Sequence, residues 1–232
     1  MFDPVELVKA TEAFACKNSL RKYYRFRAAA FYGGIATADC VGCNLRCVYC
    51  WAYNVVKNAG KVGYFYSPKK VAEKLLSIAS RKNFYRIRIS GNEPTLSKEH
   101  LLQVLELIPE RYSFILETNG IMIGYDKEYA RQLAAFPNLH VRVSLKGTTP
   151  EEFSKLTGAK PEGFELQLKA LEYLTKEKVS CHAALIEIAN QDVAGLKRKL
   201  AKIDHSLEEI EIEPLILYPA VKERLEKLTN KI

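Results

Sequence analysis

Hydrophobic and polar positions along the chain alternate between a period of two and a period of about 3.6, which predicts strands and helices in regular succession. Six short apolar runs predict strands at residues 30–36, 86–90, 113–117, 140–145, 179–188 and 210–217. Segments with helical spacing predict helices at 68–81, 98–108, 126–136, 151–156, 163–177, 192–203 and 221–228. Because strands and helices alternate, we expect parallel strand pairing with right-handed crossovers.

The number of strand–helix units limits the architecture. Six units are fewer than the eight that close a complete (β/α)8 barrel. No linker, low-complexity tract or internal repeat divides the sequence. We therefore expect one α/β body over residues 30–218, an N-terminal helical extension over 1–29 and a C-terminal helix over 219–232. In a parallel barrel the site lies at the C-terminal ends of the strands, so the loops after the strands should carry the chemistry.

The composition has the proportions of hydrophobic and charged residues of an ordinary globular protein, and it predicts the cellular location. Hydrophobic residues make up 48% of the 232 positions and charged residues 27%, enough for a sizeable core. No apolar run approaches the length of a membrane span, and the acidic Asp3, Glu6 and Glu12 are unlike a signal peptide. We expect a cytoplasmic protein without membrane contact, in which the thiols stay reduced.

The formal net charge of +8 is compatible with a polyanionic partner such as RNA, although the excess is interpreted as spread along the chain. One denser run, residues 17–27, combines five basic with three aromatic side chains. The pattern predicts a helix with a basic face and a packed aromatic face. Docking of nucleic acid or of an acidic macromolecule and contact with a phosphorylated ligand are the alternatives.

Three cysteines form the strongest chemical signal in the sequence. Cys43, Cys47 and Cys50 stand in a C-x3-C-x2-C array in the loop region that follows the first predicted strand. Thiolates suit zinc or iron–sulfur clusters, but a structural zinc site needs four ligands and no histidine lies near the array in sequence. Three thiolates on a 4Fe-4S cluster leave one iron open to another ligand. The array therefore predicts such a cluster.

A fourth cysteine leaves an alternative. Cys40 precedes the array by three residues, and with it the cluster would be closed, as in a ferredoxin-like electron carrier. The favoured interpretation makes Cys40 a free thiol at the end of the preceding strand. Cys16 and Cys181 are interpreted as small buried residues.

The array resembles that of the radical S-adenosylmethionine (SAM) superfamily, in which an aromatic residue, here Tyr49, precedes the last cysteine. The resemblance implies an open, partial (β/α)6 barrel over about residues 30–218. It also implies that the amino and carboxylate groups of SAM bind the open iron. Reductive cleavage of SAM would give a 5'-deoxyadenosyl radical that abstracts hydrogen from a substrate, with the electron supplied by an external donor such as ferredoxin or flavodoxin.

Three later loops extend the resemblance. The Gly91-Asn92-Glu93-Pro94 segment is similar to the family's GGEP motif, with Asn92 at the second glycine. Residues 117–120 (ETNG) are similar to a segment of pyruvate formate-lyase activating enzyme, and residues 144–147 (SLKG) resemble its D-L-K segment with Ser144 in place of Asp. The resemblance implies that SAM contacts the following residues: Tyr49, Gly91, Asn92, Glu93, Pro94, Glu117, Asn119, Ser144 and Lys146.

Two enzymatic hypotheses and one non-enzymatic hypothesis follow. The favoured one is a small activating enzyme that installs a glycyl radical in a protein partner. A radical SAM enzyme that modifies tRNA is the second: the basic charge agrees, but the cysteines of a second cluster are not visible. Both have a macromolecular substrate. The closed-cluster electron carrier is the third, and binding of SAM separates it from the other two.

Overall fold

The computed structural model describes residues 1–188 and 190–229. Its strands are β1 (Cys16–Lys17), β2 (Leu20–Ala29), β3 (Ile35–Cys40), β4 (Tyr64–Tyr66), β5 (Arg86–Gly91), β6 (Ser113–Thr118), β7 (Leu139–Leu145), β8 (Ser180–Glu187) and β9 (Glu211–Pro214). Its α-helices are α1 (Glu6–Ala15), α2 (Tyr53–Lys57), α3 (Pro68–Lys82), α4 (Lys98–Glu106), α5 (Ile121–Tyr125), α6 (Lys127–Leu133), α7 (Pro150–Thr157), α8 (Glu162–Lys176), α9 (Val193–Ala201) and α10 (Pro219–Thr229). No helix in these ranges is both long and apolar enough to cross a membrane.

The strands form one sheet in the order β1-β2-β3-β5-β6-β7-β8-β9, and β4 also pairs with β2. From β3 to β9 all neighbours are parallel, whereas β1, β2 and β4 are antiparallel to their partners. Within the described ranges β9 pairs only with β8, so the curved sheet is open between β9 and the β2 end. The predicted α/β partial barrel of six parallel strands is confirmed. The predicted division at residues 29 and 218 stays a prediction.

The prediction of a helix over residues 17–27 is wrong, because β2 occupies most of that run. Arg25 and Arg27 lie two residues apart on one face of β2, and the Nε of each donates to the Asp39 carboxylate on β3, at 2.6 and 2.8 Å. The apolar spacing of this run also suits a helix. The cross-strand pairing requires every second side chain to point to the same face, which only a strand provides. The first parallel strand also begins later than predicted, because Phe31–Gly33 form a 3-10 turn and Gly33 and Gly34 have positive φ.

The hydrophobic core lies between the strands and the helices outside them. Alternate strand residues such as Ile87, Ile89 and Val141 are fully buried there, together with helix residues such as Leu75 and Leu171. The predicted start of α3 is confirmed, since Ser67 accepts a hydrogen bond from the backbone N–H of Lys70 and Pro68 follows it. The core thus fixes the strand ends from which the loops emerge.

The opposite face of the sheet lines the inside of the barrel and is polar. Arg88 of β5 donates to Glu117 of β6 at 2.6 Å, and Arg142 of β7 donates to Glu211 of β9 at 2.8 Å. Glu213 lies 2.8 Å from a second Arg142 nitrogen. The interior charges are therefore paired across neighbouring or nearby strands.

Candidate active site

The three cysteines of the array are gathered in the loop that follows β3. Cys47 is buried, and Cys43 and Cys50 are half-buried. Burial raises the pKa of Cys43 well above its usual value, and negative charge on Cys47 and Cys50 raises it further, so the three thiols are electrostatic neighbours. In the described part of the chain, no three His, Cys, Asp or Glu side chains converge as a single metal ion requires. A 4Fe-4S cluster binds each thiolate to a different iron, so convergence on one point is not needed.

Positive side chains surround these thiols. Burial raises the pKa of Cys47 to about 11, and the Lys146 ammonium opposes that rise. Burial also raises the pKa of Cys50. That rise is opposed by the backbone N–H of Ala52 and by the positive charges of Lys146 and two arginines. The Lys146 Nζ donates to the Ser144 hydroxyl at 2.6 Å and lies 6.0 Å from the centre of the Tyr49 ring. The predicted residues Tyr49, Ser144 and Lys146 thus lie beside the array, in an environment that favours bound thiolates.

The loop after β5 is held against the cysteine loop. Gly91 has φ +95°, and a Cβ there would lie 2.9 Å from the Asp39 Cα, so only glycine is accommodated. The Asn92 side-chain oxygen accepts from the backbone N–H of Gly42 at 2.9 Å. Its Nδ2 is buried and has no hydrogen-bond partner among residues 1–188 and 190–229. A buried donor of this kind is suited to a polar group of a bound ligand.

Glu93 connects the loop after β5 with the loop after β6. One carboxylate oxygen accepts from the Thr95 N–H, the Thr95 hydroxyl and the Thr118 hydroxyl, at 3.1, 2.7 and 2.6 Å. The other accepts from the Asn119 N–H at 2.7 Å. The Glu93 side chain is therefore occupied by donors of the chain itself, and Pro94, also buried, begins the 3-10 turn beside it.

Asn119 and Glu117 differ in their surroundings. The Asn119 amide donates to the Asn44 side chain in the cysteine loop at 2.8 Å, which brings Asn119 to the array. Glu117 points instead to the barrel interior, where Arg88 donates to it. Contacts of both residues with SAM stay predictions.

Three residues that sequence analysis missed hold these loops together. Arg21 of β2 donates to the backbone oxygens of Val41 and Glu93, at 2.9 and 2.8 Å. Gln167 of α8 donates to the Asn119 and Ser144 oxygens and accepts from the Lys146 N–H. The sequence contains a signal for Gln167, because the residue lies at helical spacing between Phe164 and Leu171, on the apolar face of α8. A polar residue in such a position is buried only with hydrogen-bond partners.

Arg224 of α10 is the third missed residue. It donates to the backbone oxygens of Val48 and Cys50, at 2.8 and 2.7 Å, and its guanidinium lies 4.5 Å from the Tyr53 ring centre. The C-terminal helix therefore contacts the segment that carries the last two cysteines. No local pattern around Arg224 indicates this contact.

Cys40 ends β3, as expected, and is fully buried. Burial raises its pKa to about 11, and the Arg21 guanidinium opposes the rise. Its role as a fourth ligand or as a free thiol stays a prediction.

Comparison with known proteins decides the family. Residues 39–188, which include the array and the loops after β5, β6 and β7, match the sequence model of the radical SAM superfamily. The chain belongs to the radical SAM superfamily. Enzymes of this superfamily use a 4Fe-4S cluster and SAM, and the donor set described above suits both.

One relative within the superfamily matches most of this chain. A probable GTP 3',8-cyclase of Thermococcus kodakarensis is 28% identical over 206 residues, which are 80% of this chain and 63% of that protein. The chain thus spans less than two thirds of the relative's length.

Two radical SAM structures share the fold. Streptococcus suis SuiB bound to S-adenosylmethionine has a TM-score of 0.60 at 17% identity and covers 83% of this chain and 45% of its own. A structure of TYW1 with a lysine-pyruvate adduct bound has a TM-score of 0.63 at 15% identity, covering 100% of this chain and 89% of its own. None of these three names is that of a glycyl-radical activase, so the activase subtype is not confirmed.

Proposed function

We propose that the chain binds a 4Fe-4S cluster through Cys43, Cys47 and Cys50, binds SAM at the adjoining strand ends, and abstracts hydrogen from a substrate. The three thiolates would hold the cluster, which would supply one-electron reduction of SAM, with the electron from an external donor such as ferredoxin or flavodoxin, methionine as the leaving group and a 5'-deoxyadenosyl radical as the product. The observation that carries the proposal is the position of Lys146, whose Nζ lies 6.0 Å from the ring centre of Tyr49, the residue before Cys50.

The residues around the array would each have a distinct task toward SAM. The Lys146 ammonium would pair with the carboxylate, as a compact positive charge does. Gly91 has no Cβ, so the backbone at that position can approach the ligand closely. The buried Asn92 Nδ2 would donate to a polar group of SAM, since nothing in the described chain satisfies it.

The braces between the loops would keep this arrangement in place before SAM binds. Glu93 joins the β5 and β6 loops, and Gln167 joins the β6 and β7 loops. Loops fixed by buried hydrogen bonds lose little freedom on binding a ligand. Preorganisation of this kind supports a catalytic role for the loops after β5, β6 and β7 rather than a purely structural one.

For the substrate we propose a macromolecule. The similarity of residues 117–120 and 144–147 to activase segments supports a protein substrate that receives a glycyl radical. The basic charge supports the alternative, an RNA such as tRNA.

The deciding experiment is an anaerobic assay for 5'-deoxyadenosine after reconstitution with iron and sulfide and addition of dithionite and SAM. We expect the product from the wild-type chain and a loss of at least about 100-fold in Cys43→Ala, because one cluster ligand is absent. Cys181→Ala is the matched control, since Cys181 lies on β8 outside the array and should leave the yield unchanged.

A cluster that is reduced by dithionite but neither cleaves SAM nor changes its spectrum with SAM would contradict the proposal. That result would favour the closed, Cys40-ligated electron carrier. Full activity in Cys43→Ala would show that the array is not the ligand set.

A further inference from the structure

The positive charge of the chain is concentrated in one segment, contrary to its interpretation as spread along the sequence. Residues 17–88 contain 15 lysines and arginines but only two acidic residues, Asp39 and Glu73. The rest of the chain contains 20 basic and 25 acidic residues. One contiguous segment therefore has a net charge of +13, and the remainder has −5. An asymmetry of this size indicates a polyanionic partner for that segment.

The fold places most of this segment toward one end of the sheet, in β1 to β4, α3 and the cysteine loop, and its last three residues begin β5. Asp39 is already bound by Arg25 and Arg27, and Glu73 is paired with Lys70. Eight of the basic side chains are exposed: Lys17, Arg25, Lys57, Lys61, Lys69, Lys70, Arg81 and Lys82. The two acids of the segment therefore leave most of its positive charge uncompensated.

A groove runs along the outer edge of β2. It comprises two adjoining cavities of about 370 and 470 Å³ that share Ala28 and Lys82 in their lining. Arg27 and Arg81 also line it, and no acidic side chain does. β4 pairs only with the first part of β2, residues 21–23, so within the described ranges the backbone edge beside the groove has no strand partner. Its free donors and acceptors can bind phosphates and ribose hydroxyls.

Aromatic side chains of β2 and β4 lie beside a cation of α3. The Lys74 Nζ lies 5.2 Å from the ring centre of Phe26 and 5.5 Å from that of Tyr66. Tyr64, two residues before Tyr66 and therefore on the same face of β4, is 77% exposed. Exposed rings beside a basic track are the arrangement that binds single-stranded nucleic acid, because every base can stack on a ring. An acidic protein surface would be matched by the charges alone and would not need the rings.

We propose that this basic track, defined by Lys74, Arg81, Lys82 and the exposed ring of Tyr64, binds single-stranded RNA. The strand from Lys22 to Ala29 is about 25 Å long, enough for several nucleotides. The segment also carries the cysteine array, and Trp51, which follows Cys50, lies 5.6 Å from the Arg25 guanidinium. The track thereby deepens the proposed function, on which it rests, by making RNA the substrate class.

The test is fluorescence anisotropy of a fluorescein-labelled 20-nucleotide oligouridine RNA with the reconstituted protein in the absence of SAM. We expect micromolar binding at low salt, with log affinity that falls linearly with log salt concentration. Arg81→Glu/Lys82→Glu should weaken binding at least tenfold. The matched control is Arg198→Glu/Lys199→Glu, which changes the same two residue types in the last turn of α9 and should weaken binding less than threefold.

Stacking is tested separately by Tyr64→Ala, which should weaken binding at least fivefold. Tyr125→Ala removes a ring of similar exposure, 62%, elsewhere and should have no effect. The proposal would be overturned by equal losses in both charge variants, by no effect of Tyr64→Ala, or by equally tight binding of the matching DNA oligomer. It would also be overturned if the charge variants weakened binding of an acidic ferredoxin and left RNA binding unchanged. Because SAM is absent, failure of the radical chemistry leaves the result intact.

Discussion

Glu93 is the side chain on which the connection between two site loops depends, since its carboxylate accepts four hydrogen bonds. Glu93→Gln replaces one acceptor oxygen by an NH₂ group. If the remaining oxygen keeps the threonine bonds, the amide donor faces the Asn119 N–H. We expect the free energy of unfolding to fall by about 1–3 kcal/mol, the cost of a buried unsatisfied group. Urea denaturation measures this change.

The same variant should weaken SAM binding at least about tenfold, a prediction that equilibrium dialysis with labelled SAM can check. Glu99→Gln is the matched control, because Glu99 is exposed in the first turn of α4 and should cost less than about 0.5 kcal/mol. Stability and SAM affinity that both match wild type in Glu93→Gln would show that the loops do not depend on this carboxylate.

At this scale the sequence predicts only part of the site. The cysteines, the Gly91 loop and Lys146 are predictable because each belongs to a short local motif. Arg21 reaches Glu93 across 72 residues, and Arg224 reaches Cys50 across 174. Such contacts are set by the fold, so no local pattern contains them.

Helices α5 and α8 pack at very short range. A Cβ added at Gly124 of α5 would lie 1.8 Å from the backbone oxygen of Leu166 in α8. Because the backbone cannot yield as a side chain can, Gly124→Ala should cost about 3 kcal/mol or more. The melting temperature should then fall by roughly 6 °C or more, as measured by calorimetry. Gly60→Ala, whose nearest contact would be an ordinary 3.6 Å, should melt within about 2 °C of wild type.

Helix α10 touches the cysteine loop through Arg224. Arg224→Ala removes two hydrogen bonds to the Val48 and Cys50 carbonyls and should loosen the loop without unfolding the core. We expect iron to be lost to a chelator at least about threefold faster, with unchanged circular dichroism. Lys222→Ala, an exposed neighbour on the same helix, is the control. Identical chelation rates in all three proteins would exclude a role of α10 in holding the loop.

Element prediction succeeded where local signals and tertiary contacts agree. α3 begins at Pro68 after Ser67, as expected, because the cap residue and proline at N1 specify a helix start by themselves. The sequence predicts a helix where β2 lies because the apolar spacing there suits both periods. The pairing of Arg25 and Arg27 with Asp39 on β3, which sequence spacing does not contain, decides for the strand.

The stability of the whole molecule should depend on pH through His100. Its Nδ1 lies 2.8 Å from the Ser19 carbonyl and must donate to it, so Nε2 accepts from the Tyr23 hydroxyl. Burial lowers the His100 pKa from 6.5 to about 4. Between pH 4 and pH 6.5 His100 is protonated in the unfolded chain but not in the folded chain. The contribution of His100 to the free energy of unfolding is therefore complete above pH 6.5 and is lost as the pH falls toward 4. The loss attributable to His100 is about 3 kcal/mol.

Urea denaturation at pH 7 and pH 5 measures this dependence. His100→Gln should be less stable than wild type at pH 7 but should lose less stability between the two values. His205→Gln is the control, since the His205 side chain is 94% exposed. A pH dependence in His100→Gln as steep as in wild type would assign the effect to other groups.

The interior of the barrel has a consequence for how such a protein can change over evolutionary time. The apolar core lies outside the sheet, whereas ion pairs such as Arg88–Glu117 and Arg142–Glu211 line the inside. Replacing an interior pair as a unit therefore leaves the packing that folds the chain untouched. The cavity walls can diversify while the scaffold persists, and one architecture can acquire new chemical specificities through a few coupled substitutions.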